Sequence, residues 1–380
     1  MNISLSANTR VHRIAVSIFF FIAGLVVATW ASRIPDIKNA LHLNEAALGG
    51  ILFAIPVGQV ISLPLSGWLV SRFGSRQLVI AAAIFFPLTL ILIGFAATIW
   101  QLVIVLFFFG LWANLVNIAM NTQAVGVESL YGKSIMASFH GLWSLAGFCG
   151  AAVGNFFVGA GFPPFIHFMI IAVAAIIMVI ISYRNTLPDD GYKTSQPIFV
   201  KPDKAVLLLG FIAFCSMICE GTMADWSGVY LQKIIQSPAA YKTLGYVAFA
   251  GTMATGRFLG DRLITKFGVK RILQFSGILI ASGLSVVILF PYLSSAIAGC
   301  LLVGFGASCV VPIVYAMAGR SKTMSPGLAL AAVSTISFVG FLIGPPMIGF
   351  VAQLAGLRIA FSIIALLGLG VSFFGNKIKV

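Results

Sequence analysis

Two carboxylates stand where carboxylates are expensive. Residues 219–231 read CEGTMADWSGVYL and follow AVLLLGFIAFCSMI, a stretch without a charge, yet Glu220 and Asp225 are two of only nine acids in 380 residues. An acid at the centre of a bilayer costs about 2.5–3.5 kcal/mol on insertion scales, and such groups are functional by default. Burial in a low dielectric disfavours the charged form of a carboxyl, which suits a group that loads and releases a proton. Glu220 therefore reads as a proton-coupling residue, with Asp225 as a second candidate. At a helical rise of 1.5 Å per residue Glu220 lies about 24 Å above Lys204, near a midplane, and Asp225 lies nearer the opposite mouth. Gly221 follows directly and is expected to loosen the helix, as broken helices do around transport sites.

Other polar side chains share this apolar setting. Asn114, Asn117 and Asn121 recur at i, i+3 and i+7 and line one helical face, whereas Gln123 lies off it. Amides donate and accept hydrogen bonds, which suits hydroxyl-rich or zwitterionic solutes, although they also serve as glue between helices. His140 and Trp143 stand three apart, and Trp30, Trp226 and Tyr230 supply rings that could stack on a sugar face or belt the interface. His140 has a purely structural reading beside the solute- or proton-contacting one. Together these residues outline a substrate cavity.

Such residues need helices to hold them in a membrane. The chain is 60% hydrophobic and 8% charged, with a mean hydropathy of +1.08; soluble domains carry about 25% charged residues. A hydrocarbon core about 30 Å thick takes about 20 apolar residues per helical span. Twelve such runs occur, at 13–32, 46–70, 77–96, 99–124, 134–158, 164–183, 205–231, 242–262, 270–290, 294–318, 327–352 and 357–376. They are continuously apolar rather than alternating, which favours helices over a barrel. With a cytoplasmic N-terminus, every Lys and Arg except Arg33, Lys38, Lys233, Lys242 and Arg358 falls on the inner side. This positive-inside bias places both termini in the cytoplasm and accounts for the net charge of +14 without nucleic acid. All five Cys lie in spans and read as small packing residues. Neither nucleotide-binding nor metal-ligand spacing is present, nor a nucleophile–base pattern. No enzyme activity, cofactor or metal is expected.

The polar stretch 184–204 divides the spans six and six, giving an N-terminal bundle over 1–183 and a C-terminal bundle over 205–380. The halves echo one another. Ala28-Thr29-Trp30-Ala31-Ser32 matches Ala224-Asp225-Trp226-Ser227-Gly228, and GWLVSRFGSRQ (67–77) matches DRLITKFGVKR (261–271), pairing Arg72-Phe73-Gly74 with Lys266-Phe267-Gly268. Internal repeats of this kind mark transporters whose site lies between repeats.

GWLVSRFGSR resembles the cytoplasmic loop signature of the major facilitator superfamily, roughly G-x-L-A-D-R-x-G-R-R/K. The resemblance implies two pseudo-symmetric six-helix bundles and gives Gly67, Arg72, Gly74 and Arg76 a role in conformational change. The family's acid is Ser71 here; Asp261 and Arg257, at i, i+4, offer an ion pair in the other half. GLWANLVNIAMNTQA (110–124) and SFHGLWSLAG (138–147) are similar to the fucose–proton symporter branch and its uncharacterised bacterial relatives. Where that branch carries an acid and an amide, this chain has Asn117 and His140. In the superfamily the first and seventh helices face one another, so Arg33 could pair with Asp225 as an outer gate; its other candidate partner is Asp36.

The expectation is a monomeric secondary transporter of a bacterial inner membrane, with the lipid bilayer as its setting. It would move a small polar solute, a sugar or polyol first, by alternating access with protons as coupling ion. An efflux antiporter for amphipathic compounds is the alternative, and a non-transporting sensor a distant one.

Overall fold

The computed structural model describes residues 2–131, 135–188, 202–321, 324 and 326–378, with the side chains of 2–8, 71, 137, 261, 326–327 and 331 left aside. Residues 189–201 of the expected linker lie outside the described set. The elements are α1 (Asn2–Ala40), α2 (Glu45–Leu52), α3 (Ala54–Phe95), α4 (Ile99–Tyr131), α5 (Met136–Gly159), α6 (Pro164–Ser182), α7 (Lys204–Lys233), α8 (Leu244–Phe267), α9 (Val269–Leu289), α10 (Leu293–Ala307), α11 (Val310–Ala318), α12 (Pro326–Ala355) and α13 (Leu357–Asn376). No strand occurs among the described residues. Helices close every backbone hydrogen bond within the segment, the condition that hydrocarbon imposes.

Eleven of the expected spans are helices long and apolar enough to cross a membrane. The twelfth is α8, a helix of 24 residues whose C-terminal half carries Arg257, Asp261, Arg262 and Lys266. Proline and glycine place the breaks. The second span is divided at Phe53 between α2 and α3, where Pro56 lacks the N–H that would bond the Leu52 carbonyl. The tenth is divided between α10 and α11, where Pro312 leaves the Ser308 carbonyl free in the same way. Inside α3, Gly74 turns the chain with φ 81° and ψ 156°, separating the second span from the third.

The chain forms two compact units. One comprises Met1–Ile37 and Ala54–Thr194, the other Lys38–Phe53 and Ser195–Val380. The first is built around fully buried Phe19, Phe20, Phe86, Phe109, Phe139 and Phe168. The second buries Trp226, Tyr230 and Phe361, and α7 packs on α12 and α13 within it. The second unit also holds α2, which lies against α12 so closely that a Cβ on Gly49 would stand 2.6 Å from the Pro345 carbonyl oxygen. Lys233 Nζ donates to Glu45 Oε1 at 2.6 Å and fixes the start of α2, with Lys38 3.5 Å from the same oxygen.

The repeat read from RFG and KFG reappears in the backbone. Gly74 and Gly268 adopt the same left-handed turn, φ 81°, ψ 156° and φ 79°, ψ 154°. The other described positive-φ residues also pair across the halves: His42 with Gln236, and Gly161 with Gly356. Packing follows the same correspondence. A Cβ on Gly110 would strike the Ile55 carbonyl oxygen in the first unit, and one on Gly304 would strike that of Phe249 in the second. The two halves therefore share turn positions and helix crossings, the hallmark of a duplicated bundle.

Candidate functional site

In the second unit the polar residues gather on α7 and α8. Glu220 is 8% exposed. Its Oε2 lies 3.5 Å from Arg257 Nη2, and its Oε1 accepts from the Ser216 hydroxyl at 3.4 Å. Charge-assisted hydrogen bonds usually run about 2.7–2.9 Å, so this carboxylate is held loosely by two partners. Tyr246, buried on α8, sits within electrostatic reach of both Glu220 and Asp225. Asp225 itself is half-buried and makes no hydrogen bond or ion pair among the described residues.

One addition and one change appear here. Helix packing brings Glu220 to the Arg257 guanidinium; the Asp261 side chain, the partner expected from the sequence, lies outside the described residues. Gly221 was expected to loosen the helix, yet α7 runs unbroken from Lys204 to Lys233. The space left by the missing side chain is taken by Phe341, whose ring would stand 3.1 Å from a Cβ at that position. Gly221 thus admits an aromatic ring from α12 rather than opening the helix.

In the first unit the three amides separate. Asn114 is buried, and its Nδ2 donates to Ser62 Oγ at 2.8 Å and Ser66 Oγ at 3.4 Å, binding α4 to α3. Asn121 Nδ2 donates to the Asn117 carbonyl at 2.7 Å and to Asn117 Oδ1 at 3.0 Å, and both residues are half-buried. Gln123, off that face as its spacing requires, is buried between Ser75 and the Leu187 backbone. His140 is exposed on α5, with its ring edge-on to Phe20 at 5.3 Å, and Trp143 is half-buried.

The remaining rings are interior. Trp30 is 2% exposed beside Phe109, and Trp226 is fully buried. The indole nitrogens of both lack a hydrogen-bond partner among the described residues. Tyr230 is also fully buried, donating to the Val287 carbonyl at 3.2 Å with its ring 4.5 Å from that of Phe361. In this conformation these three rings pack their own units.

Arg33 takes the nearer of its two candidate partners. It is 1% exposed, and its Nη1 reaches Asp36 Oδ2 at 2.6 Å. Its Nε donates to His167 Nδ1 at 3.2 Å, while the His167 ring stacks on Phe157 at 4.6 Å. Spacing alone did not single out His167, nor Ser216 or Tyr246. Their available signal was that a histidine, serine or tyrosine lay within an apolar run; the partner helices that give them meaning are remote in sequence.

The loop residues are divided between exposure and anchoring. Gly67 faces open space, and Arg72 is exposed with its guanidinium 5.4 Å from the Trp68 ring. Arg76 Nη2 reaches the Tyr183 carbonyl at 3.5 Å and so ties the start of the third span to the end of α6. Among the described residues no group of His, Cys, Asp and Glu could hold a metal.

Known proteins share this fold. The family model for the Major Facilitator Superfamily matches residues 16–325 and 209–376. An uncharacterized MFS-type transporter of Yersinia pestis is 36% identical over 375 residues, covering 96% of this chain and 98% of its own. The membrane protein MosC of Rhizobium meliloti is 33% identical over 362 residues, covering 93% and 87%. Among solved structures, the nucleoside transporter NupG superposes with a TM-score of 0.81 at 12% identity, covering 96% of this chain and 99% of its own.

Proposed function

Because the chain belongs to the major facilitator superfamily, we propose that it is a proton-coupled carrier of a small polar solute working by alternating access. Sugars, polyols and nucleosides are the classes to test first; NupG, which shares the fold, is by its name a nucleoside transporter. The observation that carries the coupling reading is the loose pairing of a buried Glu220 with Arg257. Proton uptake by Glu220 removes its attraction for Arg257, and re-pairing with the guanidinium expels the proton. A carboxylate with two long contacts can make that exchange more easily than one locked at 2.6 Å, as Asp36 is by Arg33. Asp225, without a partner among the described residues, is the second acid of the relay. Asn117 and Asn121 are half-buried amides suited to solute hydroxyls, and His140 and Trp143 on α5 are the further candidates. Asn114, held by two serines, serves helix packing. In this reading the protein is a monomer in a bacterial inner membrane with both termini inside.

The test begins with thermal-shift screening of purified protein against sugars, polyols, nucleosides, organic acids and drugs, since a ligand of the folded state raises apparent stability. Each hit is then followed as flux into liposomes with and without a pH gradient. Glu220→Gln is expected to abolish gradient-driven accumulation and to retain counterflow exchange. Gradient-driven uptake by that variant equal to the parent's would refute the coupling role.

A further inference from the structure

A cavity of about 660 Å³ is lined by residues of the first unit, none of them assigned to coupling. One stripe of α1 forms its main wall, with Arg10, Arg13, Ser17, Ile18 and Phe21 recurring at helical spacing. Tyr131 at the end of α4 and Leu142 on α5 close the other sides. The charged groups lie at one end of the stripe and the apolar ones at the other.

The arginines are positioned but not neutralised. Arg13 lies over the Tyr131 ring at 5.4 Å, and its Nη2 donates to Ser138 Oγ at 3.3 Å. Neither Arg10 nor Arg13 forms an ion pair among the described residues, where Arg33 and Arg257 both do. Glu128, the acid near the end of α4, directs its Oε2 to the backbone N–H groups of Ile135 and Met136 at 2.7 and 2.9 Å. Among the described residues the cavity thus holds two guanidiniums without an ion pair, above an apolar floor.

We propose that this cavity binds an amphipathic anion, a phosphate or carboxylate head held by Arg10 and Arg13 with its apolar body on Ile18, Phe21 and Leu142. Guanidinium forks match the oxygen geometry of such heads. The volume suits an organic molecule, since ligand pockets commonly span about 300–1,000 Å³; an inorganic oxyanion would leave most of it empty. The inference is independent of the coupling role given to Glu220. The same chemistry is presented by an anionic lipid of the bilayer and by a soluble amphipathic anion.

Full-length protein in phosphatidylcholine nanodiscs is titrated calorimetrically with octyl phosphate, inorganic phosphate and octyl glucoside. Octyl phosphate is expected to bind saturably, about tenfold more tightly than inorganic phosphate, and octyl glucoside not at all. R10Q/R13Q is expected to weaken octyl phosphate by about tenfold or more. Should that variant fail to fold, Phe21→Ala and Leu142→Ala keep the charge and must weaken octyl phosphate while leaving inorganic phosphate unchanged. Adding phosphatidylglycerol to the nanodiscs separates the sources: competition with octyl phosphate assigns the site to a lipid, and unaltered binding assigns it to a soluble anion. Equal octyl phosphate affinity in parent and R10Q/R13Q, equal affinity of the floor variants, or equal binding of octyl glucoside would overturn the proposal.

Discussion

Removing one member of the Glu220–Arg257 pair has different consequences depending on which one goes. At 3.5 Å, and with the effective dielectric of about 20 that suits partly buried pairs, the attraction amounts to about 5 kcal/mol before desolvation is subtracted. Breaking a buried pair usually costs about 3–5 kcal/mol, because it strands a charge. The two survivors differ. In Arg257→Gln the remaining carboxyl can bind a proton and become neutral, so the loss is limited to about 1–2 kcal/mol. In Glu220→Gln the guanidinium cannot lose its proton. Water at its 15% exposed side chain and the other contacts that Arg257 keeps relieve some of the penalty, leaving about 2–4 kcal/mol. E220Q/R257Q removes both charges and should recover most of the loss. Unfolding of the three purified variants, followed by heat in nanodiscs at neutral pH, measures the asymmetry. The R257Q deficit should shrink as pH falls, because protonation of Glu220 is then supplied by solvent; the E220Q deficit should shrink only where the parent's own Glu220 takes up a proton and gives up its pairing with Arg257. Equal single-variant losses, or a double variant whose loss is the sum of the two, would refute the reasoning.

Three further outcomes follow from the packing. Gly110→Ala and Gly304→Ala each drive a methyl into a backbone carbonyl and should destabilise by about 1–3 kcal/mol; Gly67→Ala, which meets open space, should be close to neutral in the same melting assay. Asp36→Asn leaves Arg33 buried without its counter-ion and should cost more stability than Arg33→Gln, whose surviving Asp36 is 17% exposed; equal melting shifts would contradict the assignment. Asn114→Ala should lower stability by about 1–2 kcal/mol through its lost bonds to Ser62 and Ser66, with little change in solute affinity. Asn117→Ala should weaken solute binding in the thermal-shift assay with little change in the ligand-free melting point.

The fold was legible because hydrocarbon allows few alternatives: long apolar runs must be helices. Even the duplication could be read, since RFG and KFG mark turns that share φ and ψ within a few degrees. What stayed hidden were choices between partners. Nothing in local spacing indicated that α7 would bring Glu220 beside Arg257. The Asn stripe was visible as a face, but not that Asn114 would bond Ser62 and Ser66, which are remote in sequence. Trp30, Trp226 and Tyr230 have rings suited to a sugar, yet burial depends on neighbours such as Phe109 and Phe361 that periodicity does not reveal. The grouping of Lys38–Phe53 with the second unit was equally out of reach, because it rests on the approach of Gly49 to Gly349, 300 residues away along the chain.

The most direct test of coupling is infrared difference spectroscopy of the protein in nanodiscs, titrated through the physiological pH range with and without an identified solute. The account predicts a protonated-carboxyl band that rises and falls with pH, shifts when solute binds, and is missing from Glu220→Gln. A band that is unchanged in that variant, or that holds one intensity at every pH in both states, would contradict it.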